Sequence, residues 1–494
     1  MRTPWTKPSP DSDTDPLGAA QYGQVAPALG YRSAGAGRAA WAHPARTYVA
    51  TTTQAAGLFP FLAGSGAPTA GVPIGRHSLW GECVCLDPFA WMESGLVTNT
   101  GMFLLGQPGV GKSALAKRLT LTLPAFGIRP VILGDTKGEH TAIIEALGGQ
   151  VIRVGRGLDR INPLDSGPLG SAAEQLPRHK ACEVALEIRG RRLTSLLALC
   201  ALVRGVGGAA VGNGEEVVLG RALDLLVAGG TRNPTVPDVL RLVRGGGSDM
   251  STAAATRTQR DYDLRVRELV HTLELLLTGS LAGVFDGPTT HPIDLTAPGV
   301  SVDISATGAA GDTLVAAAML STWSYGFGAV DAAALLASAG LAAPRRHFLV
   351  MDELWRALRG APGLVDHADA LTRLNRSRGI ASLMITHSLA DLEALPTPAD
   401  VAKARGFVDR AAIVVLGGLP RRELDAVSAV VPLSPGECDL VAGWSAAESW
   451  QPGVAHPGRG RYLIKTGARP GLVVSMTLMD SERDLFDTDA RVRA

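Results

Sequence analysis

One short run constrains this 494-residue chain more than any other feature: Gly106-Gln107-Pro108-Gly109-Val110-Gly111-Lys112-Ser113, continued by Ala114. It follows the apolar stretch TGMFLL and opens the helix-like stretch KSALAKRLTLTL. A phosphate chain needs several backbone N–H groups turned inward together, and a glycine-rich turn at a helix N-terminus can crowd them there. Gly106, Gly109 and Gly111 permit that approach. Lys112 would neutralise the β- and γ-phosphates, and the Ser113 hydroxyl would ligate magnesium. Glycine is abundant here, at 59 residues, but only seven of the 47 basic residues are lysine, so the pattern seldom arises by chance in such a sequence. ATP and Mg2+ are the expected ligands.

A loop of this kind needs a carboxylate site to hold the metal's water shell and to polarise the attacking water. RRHFLVMDELW supplies it: the strand-like residues His347 to Met351 carry Asp352 and Glu353 to the strand's carboxyl edge, where open α/β sheets place nucleotide chemistry. Asp352 is expected to bind magnesium through water, and Glu353 to position or deprotonate the nucleophilic water. Upstream of a further apolar run, IASLMITHS, the segment RLNRSRG carries Arg376 and Arg378. Either guanidinium would match the oxygens of a phosphoryl group held by an adjacent subunit.

Seven compact apolar runs (GMFLLG, PVILGD, QVIRVG, VSVDIS, HFLVMDE, ASLMITH and AAIVVLG) are bounded by Gly, Pro or Asp and apolar on both faces. They suit interior strands of a parallel sheet, with helical stretches as crossovers. From Glu183 to Leu281 the strand signal stops and Leu and Val recur at helical spacing. The longest uncharged run, Thr313 to Val330, is diluted by Ser, Thr and Gly and is expected as a buried core helix rather than a membrane span. Net charge is +1, so nothing in the bulk balance draws the chain to nucleic acid or an anionic membrane. Cys83 and Cys85 read as small apolar fillers of a strand, and five cysteines without a second close pair make no zinc site. The N-terminus has no apolar core for a secretory signal, so a reducing cytoplasm is the expected home.

In this order the motifs resemble the large ATPase of type IV secretion and conjugation systems, the TraC-like branch of the HerA/FtsK superfamily. Beyond the two nucleotide motifs, ILGDTKGEH (Ile132 to His140), RINPLD (Arg160 to Asp165) and GVFDGPT (Gly283 to Thr289) are similar to family elements. RGFVDRAAIVVLGG, LSPGE and GRGRYLIKTG follow in the family's C-terminal order, and PFLAGSG, GVPIG and CLDPF resemble its lead-in. The match spans roughly residues 48 to 485.

The resemblance implies an α/β, RecA-like P-loop NTPase fold: a central, mostly parallel sheet flanked by helices, plus an inserted all-helical subdomain. The expected division is a flexible lead at 1–45, a short β-rich segment at 46–95, the ATPase domain at 96–182 and 290–485, the helical insertion at 183–289, and a tail at 486–494. It further implies a homo-hexameric ring working with other secretion or conjugation components on a DNA or protein substrate. The location would be cytoplasmic, peripheral at the inner face of the membrane through those partners. Thr386 and His387 fall where such ATPases sense the γ-phosphate. Asp135 and Glu139 would lie beside the nucleotide or an intersubunit contact, and Arg459 and Arg461 would reach a nucleotide across an interface. Asn162 and Asp165 are expected to fix a turn.

Two departures stand out. Full-length members carry a large domain ahead of the motor, so this chain is expected to be a motor half. The family also has Gln where this chain has His387, an imidazole that can donate as an amide does but can also change charge. The rival expectations are a translocase of the same superfamily acting directly on DNA, and a non-catalytic subunit that binds ATP only to order an interface.

Overall fold

The computed structural model describes residues 66–205, 210–279, 281–359, 365, 368–369, 379–445 and 456–486. The lead at 1–45, Arg376, Arg378 and all but the first residue of the tail lie outside the described residues, as does the first part of the β-rich segment. Among the described residues, eleven strands form one sheet: β1 (Val72–His77), β2 (Cys83–Leu86), β3 (Gly101–Leu105), β4 (Ile128–Asp135), β5 (Gln150–Arg153), β6 (Val300–Asp303), β7 (Arg346–Met351), β8 (Ile380–Thr386), β9 (Ile413–Leu416), β10 (Arg461–Lys465) and β11 (Leu472–Ser475). Their spatial order is β2-β1-β11-β10-β9-β3-β8-β7-β4-β6-β5.

The seven strands from β9 to β5 are parallel to their neighbours, and they are the seven apolar runs of the sequence. Their residues alternate between two cores. Met102 and Leu104 of β3 enter one with Ile132 and Val350, and Phe103 and Leu105 enter the other with Leu133 and Met351. A period of two with both faces covered explains why the runs read as continuously apolar. Beyond β9 the sheet turns antiparallel through β10, β11, β1 and β2.

Helix Lys112–Thr122 covers one face through Leu115, Ala116 and Leu119. The other face is covered by helix Asp312–Ser338, whose residues Leu314 to Ala332 are all buried. Trp323 donates its indole N–H to the Leu133 carbonyl at 3.0 Å, and Gly326 lets the helix approach β4, since a Cβ there would stand 2.3 Å from a Leu133 methyl. This is the one described helix long and apolar enough to cross a membrane, and 94% of its most apolar window is buried in the protein. Leu133 and its neighbours replace lipid. Helix Arg178–Arg204 packs on Asp312–Ser338, and Asn213–Ala228, Val236–Gly245, Ser248–Ala253 and Gln259–Thr278 pack on that helix and on one another, joining the same core through Leu196, Leu219, Val239, Met250 and Leu269. Asn162 and Asp165 hold turns, accepting backbone N–H bonds from Leu164 at 3.1 Å and Gly167 at 2.9 Å.

Candidate nucleotide-binding site

Strand β3 delivers the glycine loop to the sheet's carboxyl edge. Gly109 and Gly111 sit at φ 84° and 97°, left-handed values that glycine adopts without strain, and Gly111 caps the helix that starts at Lys112. The first amides of that helix have no partner within it and point out of its N-terminus, which is the arrangement that receives an anion. The loop is braced from behind: the Gln107 amide donates to the Gly418 carbonyl at 3.0 Å, and the Gly460 amide donates to the Val110 carbonyl at 3.0 Å. The Tyr462 hydroxyl, buried under the turn, donates to the Gly111 carbonyl at 2.6 Å. A side chain at Gly111 would strike that hydroxyl, since a Cβ would stand 2.9 Å from it.

The Lys112 ammonium donates to the Gly106 carbonyl at 2.6 Å, to the Gln107 carbonyl at 3.0 Å and to His387 Nδ1 at 2.9 Å. Burial pulls its pKa down to about 8, against the attraction of Asp352 and Glu353. Three partners on two loops therefore already organise the lysine.

Strand β7 brings Asp352 and Glu353 to the same edge, but not beside β3: strand β8 lies between them, pairing Leu105 with Thr386 on one side and Met351 with Met384 on the other. The residue after β8, His387, therefore stands between lysine and glutamate. Its Nε2 lies 3.2 Å from Glu353 Oε1. Because Lys112 can only donate, Nδ1 accepts and Nε2 carries the proton toward the carboxylate, an assignment that the bonding partners dictate.

Glu353 has φ 52°, a left-handed value unusual for a non-glycine residue and a mark of local strain at a site. Its Oε1 also accepts from the Lys137 ammonium at 2.8 Å, and its Oε2 accepts from the Trp355 indole at 2.7 Å. Burial disfavours its charge, but the bonds from His387 and Lys137 outweigh that and hold the carboxyl well below the usual range. Next to it, burial pushes Asp352 up to about 6, with the Glu353 charge adding to the rise. Two adjacent carboxyls are thus driven apart, Glu353 held low and Asp352 raised toward neutral pH.

Sequence reasoning named Asp135 and Glu139 but not the residue between them that reaches Glu353. Asp135, buried at the end of β4, accepts from the backbone amides of Lys137 at 3.3 Å, Glu139 at 3.1 Å and His140 at 2.7 Å. Glu139 pairs with Lys117 of the helix behind the glycine loop at 3.0 Å. Both carboxylates are engaged in holding the turn. Three of the chain's seven lysines, Lys112, Lys117 and Lys137, meet around this edge, and their scarcity was the signal that could have drawn attention to Lys137. Trp355 and Tyr462 carried no such signal. Thr386 is buried, its hydroxyl 3.4 Å from the Asp391 carboxylate. Arg459 is exposed on the turn whose Gly460 braces the glycine loop, and half-buried Arg461 opens β10.

Among solved structures, the chain is similar to VirB4 of Thermoanaerobacter pseudethanolicus, at 20% sequence identity over 85% of this chain and 99% of that one, with a TM-score of 0.64. The two share one fold. The plasmid coupling protein TrwB in complex with ADP and Mg2+ is similar at 14% identity over 84% of this chain and 91% of that one, with a TM-score of 0.51. No family model and no curated protein matches the sequence. The architecture of β9 to β5 with its flanking helices is thus the RecA-like P-loop fold, as in VirB4.

Proposed function

We propose that this chain is a magnesium-dependent ATP hydrolase, converting ATP to ADP and phosphate at the subunit interfaces of a ring. The observation that carries this reading is the bridging of Lys112 and Glu353, from β3 and β7, by His387 at one sheet edge. The residues present fit ATP and Mg2+: left-handed glycines, unpaired first-turn amides, a lysine held over the loop, and two adjacent carboxyls at the same sheet edge. The amides from Gly109 to Ala114 would bind the phosphates with Lys112, while Ser113 and Asp352, through water, would hold the metal. Mg2+ supplies charge neutralisation for the phosphate oxygens. Glu353 would orient the attacking water and take its proton, and His387 with Thr386 would register the terminal phosphate. Asp135 and Glu139 would fix the turn that presents Lys137. Arg376 or Arg378, with Arg459 and Arg461 as further candidates, would supply the charge that reaches a neighbouring subunit's nucleotide.

The sequence resemblance and the fold shared with VirB4 and TrwB support a place in a type IV secretion or conjugative transfer apparatus, as a hexamer attached peripherally at the inner face of the membrane. The buried face of helix Asp312–Ser338 favours attachment through partners over a span of its own. Mass in solution read beside ATP turnover, with and without DNA, tests this. A ring with turnover indifferent to DNA supports the secretion motor. Turnover stimulated by DNA and weakened by salt supports a translocase acting on DNA itself. Binding without turnover makes the chain a structural nucleotide binder.

A further inference from the structure

The turn after β4 and the turn after β7 lie on neighbouring strands, with Ile132 paired to Val350, and one ion pair closes across them. Its two ends differ. The Glu353 side chain is 6% exposed, whereas that of Lys137 is 48% exposed. The carboxylate is fixed by His387 and Trp355 as well, so Lys137 is the arm able to swing away into water.

The base of that arm is rigid. Asp135 gathers three backbone amides of the turn onto its carboxylate, including that of Lys137 itself, and Glu139 ties the turn to Lys117, one helical turn beyond Ser113. Lys137 therefore moves with the helix that carries the glycine loop. Its ammonium is also close enough to Lys112 for the two positive charges to repel.

We infer that Lys137 is a restraint on Glu353: its ammonium holds the carboxylate away from water until the terminal phosphate of a bound nucleotide draws it off. This rests on the proposed hydrolase reading and adds a positioning residue to it. A carboxylate that accepts an ammonium, an imidazole N–H and an indole N–H together is a poor proton acceptor, since its basicity and its free lone pairs are both reduced. A phosphate oxygen offers the lysine a partner of greater charge than one carboxylate does. Exchange of partners then leaves Glu353 with its two neutral donors and restores its basicity where the water would stand. No other residue need move, because the turn is pinned at Asp135 and Glu139.

The test compares wild-type protein with K137A and K137R in steady-state ATP hydrolysis, with equilibrium binding of a fluorescent ATP analogue measured beside it. While nucleotide is bound the carboxylate and the phosphate compete for Lys137, so Glu353 is free only part of the time. Removing the restraint is therefore expected to raise kcat about three- to tenfold while KM stays within about threefold, and K137R, which keeps a donor, brings kcat back toward the wild-type value. A structural prop would give the opposite sign, so an unchanged or lower kcat in K137A with binding intact overturns the restraint and leaves the hydrolase reading standing. If wild-type protein binds no ATP analogue, the site itself fails and the restraint with it.

Discussion

The Lys112 ammonium and the Glu353 carboxylate are joined by a single imidazole: His387 accepts from the first at Nδ1, 2.9 Å away, and faces the second with Nε2 at 3.2 Å. A neutral amide carries the same two functions, an accepting oxygen and a donating N–H. Replacing His387 with Gln should therefore keep kcat within about threefold of wild type, whereas H387A, which leaves a buried lysine and a glutamate each short of a partner, should lose about tenfold or more, with each tenfold worth about 1.4 kcal/mol. Steady-state kinetics on both variants checks this: equal losses would show that an amide does not restore the bridge, and an H387A variant as active as wild type would show that the bridge plays no part.

Behind the glycine loop, Tyr462 holds the Gly111 carbonyl at 2.6 Å from a fully buried ring. The variant Y462F keeps the packing and removes the bond, leaving a carbonyl of the phosphate loop without that donor. The expected cost is about 1–2 kcal/mol, seen as nucleotide binding weakened about five- to thirtyfold in a titration, with the circular-dichroism spectrum unchanged.

The helix that carries the loop is also tied to the chain's far end. Arg118 makes a buried pair with Glu482 and donates to the carbonyls of Ile74 at 3.1 Å and Thr477 at 2.8 Å. Burial opposes the Glu482 charge, but the Arg118 bond prevails and its pKa is lowered from 4.5. A carboxyl depressed in the folded state contributes stability that is fully present above its unfolded pKa and is lost as pH falls through the folded value. E482Q, which leaves the buried guanidinium without its counter-charge, should cost about 3–5 kcal/mol at pH 7, and the gap in Tm to wild type should close progressively below pH 4.5. Thermal melts across that range read the effect directly.

Lys137 gives the sharpest kinetic contrast among these variants. Its loss should accelerate turnover, while losses at the other positions around the edge should slow it, so the sign of one kcat change separates a restraint from a support.

Much of the fold was legible because the signals were local. Seven apolar runs alternate between two cores on the two sheet faces, as Met102 and Phe103 do, and the glycine loop announces itself in eight residues. What was hidden depends on pairings distant in sequence. Strand β1 joins the sheet by pairing Arg76 with Ser475, so the segment read as a β-rich lead-in is continuous with the motor's own sheet. Lys137 and Glu353 lie 216 positions apart and meet because β4 and β7 are neighbours. No periodicity or spacing encodes either meeting. His387 was expected beside the terminal phosphate, but the strand order that puts β8 between the two motif-bearing strands, and so His387 between Lys112 and Glu353, was equally hidden.

The most direct test of the hydrolase reading is single-turnover and steady-state ATP hydrolysis by E353Q, with nucleotide affinity measured on the same preparation and K112A as the variant that should not bind. Retained affinity in E353Q with turnover reduced at least about a hundredfold is the expected result, that being the range a positioned base contributes. Turnover in E353Q equal to wild type would contradict the account, because the carboxylate bridged to Lys112 through His387 would then have no part in the chemistry.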